Sequence, residues 1–428
     1  MDDAALARNL VLAWPLALVV VATAVRQART GDVLTRAPAA FLAALWVWVT
    51  VHVVEVTTSW WTFAPSSTSL LGVPAEVSLG WALLWGALPV LAGGPLWAWV
   101  AGLAWVDLLT MRLADDLVAL APGWVAGEAI LLGAGLVPAL ILGKATRERT
   151  WLPVRAGLQV VLFPAVFGWL VPTVALARDG LTWMSVVDHP YPMRALLLTA
   201  AVGLGVPGLA AVAELARAGG TPFPWDPPAH LVTSGPYAYV SNPMQISIAG
   251  LMTLLTAATG SLVLAGLTAF SVAFSVVLAE RHERATLSAR WPAHDDYRRH
   301  VRSWVPRWRP WVAAPATLWV SEACALCSAT GVVLDSLAPT GLERRPAEAA
   351  PVALVRMRWQ AGDPPDSDHS DGIAAFARAL EHTTLPWAWL GWCMRLPVVR
   401  PWLQVVADAC GLGPRPLVRT GADDRMRP

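Results

Sequence analysis

The feature that most limits what this chain can become is the length of its apolar runs. Up to about residue 285 they recur at roughly 20 residues each, the length at which a helix crosses a hydrocarbon core about 30 Å thick. About nine such segments are legible, at roughly 9–25, 39–63, 76–92, 95–111, 123–143, 157–177, 194–216, 243–259 and 261–280. The expected fold is therefore an all-α polytopic membrane part. The first run, Leu10 to Val25, is followed by Arg26 and Arg29 rather than by a small-residue cleavage site, so it reads as a membrane helix and not as a leader. The basic residues of the loops suggest the orientation. With the N-terminus outside, Arg26, Arg29 and Arg36 fall in the cytosol, as do Lys144, Arg147, Arg149 and Arg155, and the Arg-rich tail follows them. The expectation is a multi-pass cell-membrane protein, N-out and C-in, with a re-entrant hairpin as the alternative around Gly93-Gly94-Pro95.

Composition explains where this pattern stops. The chain is 56% hydrophobic and only 14% charged, against about a quarter charged in an ordinary soluble protein. The deficit lies before residue 285, and the text beyond it is globular in character, rich in Arg, Asp and Pro. A formal net charge of +1 leaves no basic excess to neutralise phosphates, which argues against nucleic acid as a partner. All four cysteines lie at or beyond Cys324, so no disulfide framework is expected in the membrane part. Three parts follow: N-terminal helices over 1–156, a second membrane core over 157–312, and a domain over 313–428.

Trp60, Trp61, Trp97, Trp99, Trp151 and Trp183 sit near segment ends, as interfacial aromatic belts do; an aromatic-lined pocket is the alternative. Ionisable residues inside apolar segments are costly and point to function. His52 and Glu55, three apart on one helix face, can pair; Asp107 and Glu128 stand in later segments. They read either as a packed polar pair or, for His52, Glu55 and Glu128, as the polar wall of a substrate pocket.

The most informative stretch is 221–308. A Pro-rich loop, Pro222 to Pro228, is followed by His230-Leu231-Val232-Thr233-Ser234-Gly235-Pro236-Tyr237 and then Tyr239-Val240-Ser241-Asn242-Pro243-Met244. Ser241 and Asn242 suit an N-cap and Pro243 the first helical turn, so a helix is expected from there to about Thr259. Its N-terminus is a natural seat for a carboxylate. A second long helix leaves the membrane as Glu280-Arg281-His282-Glu283-Arg284, ahead of the polar tail Asp295-Asp296-Tyr297-Arg298-Arg299-His300.

The pattern His-Leu-Val-x-x-Gly-Pro-Tyr-x-Tyr-Val-x-x-Pro-Met, two membrane helices, a Glu, a Tyr-containing tail and the closing Val305-Pro306 resemble the isoprenylcysteine carboxyl methyltransferases and related phospholipid methyltransferases over about 90 residues. The resemblance implies an S-adenosyl-L-methionine site on the cytosolic face. His230, Leu231, Gly235 and Tyr237 would hold the cofactor and Pro243 would fix the helix start. Glu283 or Glu280 would meet its ammonium group, and Tyr297 and Arg298 would close the site. His230, Glu283 and Arg298 are the implied catalytic residues. Ser241-Asn242 stands where the family has Arg-His, and Gln245 where it has Tyr. A carboxylate or phenolate acceptor needs no base for methyl transfer; for an alcohol, His230 or His282 would serve. In the first 150 residues, Trp60-Trp61-Thr62-Phe63 and Leu71-Gly72-Val73-Pro74-Ala75-Glu76 faintly resemble membrane proteins of carotenoid biosynthesis.

Beyond residue 315, Ala316–Val320 reads as a strand, and Cys324-Ala325-Leu326-Cys327 opens a helix to about Leu337. Pro351–Trp359 reads as another strand, and Asp371-Gly372 leads into another helix. A Cys-x-x-Cys at a strand-to-helix turn puts its first thiol at a helix N-terminus, which favours the thiolate. Together with Leu385-Pro386 and Leu396-Pro397, this resembles the thiol-disulfide oxidoreductase DCC family, implying a thioredoxin-like α/β fold with Cys324 and Cys327 as the redox pair. Cys393 and Cys410 are too scattered to supply a second pair of zinc ligands. The expected function is an integral-membrane methyltransferase acting on a lipophilic, isoprenoid- or lipid-like acceptor. A membrane-anchored thiol-disulfide oxidoreductase and a non-catalytic membrane scaffold are the alternatives.

Overall fold

A computed structural model describes residues 3–58, 60–66, 68–111, 117–279, 287–362 and 368–414. It is mostly helical, with a small sheet near the C-terminus. Its elements are α1 (Asp3–Thr30), α2 (Val33–Thr57), β1 (Trp61–Phe63), β2 (Ser69–Leu70), β3 (Val73–Pro74), α3 (Ala75–Ala92), α4 (Leu96–Thr110), β4 (Val118–Leu120), α5 (Trp124–Glu148), α6 (Leu152–Arg178), α7 (Tyr191–Arg217), α8 (Pro243–Thr259), α9 (Leu262–Phe274) and α10 (Ala293–His300). The C-terminal elements are β5 (Ala316–Val320), α11 (Ala325–Ser336), β6 (Leu342–Pro346), β7 (Arg358–Ala361), β8 (Asp368–Asp371), α12 (Ile373–Leu380), α13 (Leu385–Arg395) and α14 (Val399–Ala407). Among the described residues, 6 helices are long and apolar enough to cross a membrane: α1 from Asn9, α2, α3, α5, α6 and α7. Three other expected spans are shorter. α4 has 15 residues, α8 has 17, and α9 belongs to an apolar helix, Leu262–Val277, of the same class.

The chain divides into two compact units. The first comprises the residues up to Ser185 with Gly219–Pro227 and Ser261–Leu264. Its central helix is α2, which packs on α3 and α5 and buries Leu42 and Ala43 completely. The approach to α3 is close enough to need a glycine. A Cβ on Gly86 would lie 2.5 Å from the Ala44 nitrogen and 2.7 Å from the Ala43 carbonyl carbon, a small-residue crossing of the kind that lets membrane helices meet. The segment expected to be helical over 39–63 is not helical throughout: α2 stops at Thr57, and Trp61–Phe63 pairs antiparallel with β4, Trp61 opposite Leu120. The β-branched Thr57 and Thr58 turn their hydroxyls back to the carbonyls of Val53 and Val54 as the helix closes.

Prolines leave a recurring mark on this unit. Each of α3, α5 and α6 contains a six-residue π-helical stretch, Ala82–Ala87, Leu131–Leu136 and Ala165–Leu170. Each stretch is followed at its second residue by a proline, Pro89, Pro138 or Pro172. Proline has no N–H and crowds the carbonyl four residues earlier, and a wider turn relieves that crowding without breaking the helix.

The second unit comprises Val186–Ala218, Pro228–Gly260 and the chain from Ala265 onward. Here α7 and α8 pack together, and the chain ends in a four-stranded sheet of order β6-β5-β7-β8. β5 is parallel to β6 across the α11 crossover, whereas β7 is antiparallel to both β5 and β8. Leu318, Val320, Leu334, Trp359, Ala375 and Leu380 form its core. The strand expected over Pro351–Trp359 is corrected to Arg358–Ala361. Ahead of it only Leu354 makes a β-bridge, and it packs with Trp319 and Ala347.

Candidate functional site

The second unit assembles several of the residues singled out by sequence. Gly235 takes a positive φ of 59° and opens a 3₁₀ turn, Gly235–Ala238, in which every residue is buried. The α10 tail closes over that turn. Tyr297 donates its hydroxyl to the Tyr237 carbonyl at 2.8 Å, and the Arg298 guanidinium donates to the hydroxyls of Ser241 and Ser303. Main-chain bonds continue the seam: Ser241 N–H to the Arg302 carbonyl at 3.0 Å, Arg307 N–H to Tyr239 at 2.9 Å and Trp311 N–H to Ala238 at 2.8 Å. Gly235, Tyr237, Pro243, Tyr297 and Arg298 thus belong to one assembly. Leu231 is half-buried and His230 is exposed at the mouth of the loop. Glu280 and Glu283, like His282, lie outside the described residues.

The seam leads into the first turn of α8. Asn242 makes no side-chain cap bond there, and the first N–H groups of a helix have no intrahelical acceptor. Near this turn in sequence are buried polar atoms without a hydrogen-bond partner, Gln245 Oε1 and, on the tail, Trp304 Nε1, whereas the Ser247 hydroxyl lies against Gly208 of α7. Free N–H donors suit a carboxylate and the Gln245 oxygen suits an ammonium group. These residues therefore fit a cofactor with an amino-acid end.

Behind Gly235 lies a carboxylate that sequence reasoning missed. Glu214, buried on α7, accepts from Ser234 Oγ at 2.9 Å, Arg217 at 2.6 Å and Arg395 at 2.8 Å, and pairs with Arg378 at 3.4 Å. A Cβ on Gly235 would stand 2.8 Å from Glu214 Cγ, so only glycine lets the loop approach. Glu381 completes the cluster through Arg378 and Arg395. Against the penalty of burial, Glu381 and Glu214 hold the Arg395 guanidinium above its ordinary pKa. The available signal was a lone Glu inside the apolar run 194–216, the same signal that flagged Glu128.

Next to this cluster, the Arg378 guanidinium lies 4.8 Å over the Trp359 ring, and Trp359 Nε1–H donates to His382 Nε2 at 3.1 Å. His382 Nδ1–H donates in turn to the Thr340 carbonyl at 2.9 Å, which fixes a neutral imidazole. Burial pushes its pKa down to about 4, with the Arg378 charge acting in the same sense and the Thr340 bond opposing both. Cys324 caps α11: its Sγ accepts the Cys327 N–H at 3.2 Å. Just before it, Glu348 accepts from Ser321 Oγ at 2.5 Å and from Glu322 N–H at 3.4 Å.

In the first unit the polar membrane residues are arranged differently from expectation. His52 and Glu55 do not pair. The His52 ring turns back along α2, donating Nδ1–H to the Trp48 carbonyl at 2.8 Å and lying edge-on to the Trp48 ring, while Nε2 has no partner. Glu55 faces the Gly72 turn. Glu128 accepts Trp61 Nε1–H at 3.0 Å and lies near Asp107, which is itself near Trp81. A cavity of about 420 Å³ in this unit is lined by Leu18, Val25, Arg26, Leu88 and Trp99, among others, and by none of His52, Glu55 or Glu128.

Compared with known proteins, the chain matches no family model, no curated protein and no solved structure.

Proposed function

We propose that this chain is an integral-membrane S-adenosyl-L-methionine-dependent methyltransferase acting on a lipophilic acceptor. It would cross the cell membrane about nine times, with its N-terminus outside and its C-terminal domain on the cytosolic side. The observation that carries this reading is the seam between two segments 60 residues apart, sealed by Tyr297 on the Tyr237 carbonyl and by Arg298 on Ser241. It leads in sequence into the start of α8, where free N–H groups and the unpartnered Gln245 oxygen suit the two charges of an amino-acid end. When bound, the cofactor supplies an electrophilic methyl group on a sulfonium. The protein's part would be to orient it and exclude water: the Gly235 turn and the α10 tail would hold the site closed, and His230, an exposed residue of the loop, would accept a proton from an acceptor that carries one. Calorimetric titration of the purified protein with S-adenosylmethionine, beside a His230→Ala, Glu283→Ala double variant, tests the reading. Saturable binding lost in the variant supports it; no binding by folded wild type overturns it.

A second activity belongs to the C-terminal domain. Its β-α-β-β-β-α order, with one parallel and two antiparallel neighbours, supports a thioredoxin-like reading. The Cys324 thiol at the α11 N-terminus supports thiol-disulfide exchange with Cys327. Reduction of a small disulfide substrate that ceases in Cys324→Ser, with both thiols of the wild type oxidised in the process, tests it.

A further inference from the structure

We propose that α13 and α14 form a hairpin seated in lipid, at the headgroup–acyl boundary of the bilayer crossed by α7. The first reason is where α13 packs. From Leu385 to Met394 it carries no charge and three tryptophans, and it runs beside α7, with Ala388 and Trp392 sharing a buried cluster with Val206 and Ala210. Trp389 Nε1–H donates to the Gly203 carbonyl at 3.0 Å. Gly203 lies in the apolar run of α7 between Arg194 and Glu214. A segment of about ten apolar residues beside that run has the length of an interfacial or re-entrant element, not of a span.

The second reason is the orientation of α14. On a helix at a protein–water boundary the apolar stripe faces the protein; here the arrangement is reversed. Gln404 accepts the Ile373 N–H at 2.9 Å and Asp408 pairs with Arg356 at 2.9 Å, so the polar side chains pin the helix to its own domain. Val399 and Leu403 are half-buried, but the other large apolar ones point away. Val398, Trp402 and Val405, at i, i+4 and i+7, are 87%, 66% and 67% exposed. Trp and Val outward with the exposed Arg400 at the edge is the composition of a helix lying in the plane of a membrane interface. Continuity with α7 favours lipid over a protein partner, because the same domain already lies against a helix that crosses the bilayer.

Spin labels on the full chain test this. The four native cysteines are changed to Ser, the chain is reconstituted into phosphatidylcholine–phosphatidylglycerol nanodiscs, and Trp402→Cys, Val405→Cys or, as an aqueous control, Glu343→Cys carries the label. Collisions with oxygen should exceed those with a water-soluble nickel chelate several-fold at 402 and 405, with the order reversed at 343. A nickel-dominated signal at 402 and 405 would place the hairpin in water, and low collision with both would place it under protein; either overturns the proposal. A second measurement leaves the cysteines untouched. With Trp402 replaced by photoreactive p-benzoylphenylalanine, irradiation should give a lipid adduct, whereas a dimer or no lipid adduct counts against lipid.

Discussion

Ser234 donates its hydroxyl to the Glu214 carboxylate at 2.9 Å, and the loop that resembles a cofactor-binding sequence is thereby fixed to a charge buried on α7. The same carboxylate receives Arg378 and Arg395 from the C-terminal domain. Loop, helix and domain therefore share one acceptor.

Glu214→Gln keeps the side chain's shape and removes its charge. The buried guanidinium groups of Arg378 and Arg395 then retain Glu381 as their buried counter-charge, and breaking such a network from one side costs about 3–5 kcal/mol. A marked drop in the thermal midpoint of purified protein is expected; an unchanged midpoint would refute the shared-acceptor account.

Tyr297→Phe removes the donor that seals the Tyr237 carbonyl. Loss of one intramolecular hydrogen bond costs about 0.5–1.5 kcal/mol. On the methyltransferase reading it also loosens the site, lowering S-adenosylmethionine affinity by about tenfold for each 1.4 kcal/mol that falls on the bound state. Titration of the variant separates the two: stability loss with unchanged affinity would confine Tyr297 to the fold.

His382 should make the C-terminal domain acid-sensitive. Its imidazole titrates at about 4 when folded and near 6.5 when unfolded, so the unfolded chain binds the extra proton between those values. The stability contributed by the neutral ring is complete above about pH 6.5 and is lost as the pH falls toward 4, by about 3 kcal/mol in all. Denaturant midpoints measured across that range should decline, and His382→Gln should flatten this part of the decline.

Gly86→Ala should force α2 and α3 apart, since the added methyl meets Ala43 and Ala44 main chain. A cost of about 1–3 kcal/mol is expected for such overpacking. Gly133→Ala, where a Cβ meets nothing within 4 Å, is the control and should leave the midpoint near wild type.

Much of this was legible in the sequence where a single physical rule dominates. The start of α8 at Pro243, the strand Ala316–Val320 and the helix that Cys324 opens appear where the sequence reading put them. The misreadings come from competition between rules. His52 and Glu55 share a helix face, but a carbonyl four residues back was nearer to the imidazole than the carboxylate was. Trp61 extends an apolar run, yet its indole N–H had a carboxylate to reach on α5, and a short strand delivers it there. Glu214 carried the same lone-carboxylate signal as Glu128, but its partners Arg378 and Arg395 are more than 160 positions away, a separation that no local pattern encodes.

The π-helical stretches of α3, α5 and α6 have one more consequence. A turn widened by one residue advances every side chain beyond it by about 100°, the angle per residue of an α-helix. Each of these helices is thus out of phase with itself on either side of its proline, and the face it turns to its neighbours in one leaflet is not the face it turns to them in the other. A single continuous stripe of apolar or small residues could not serve both halves.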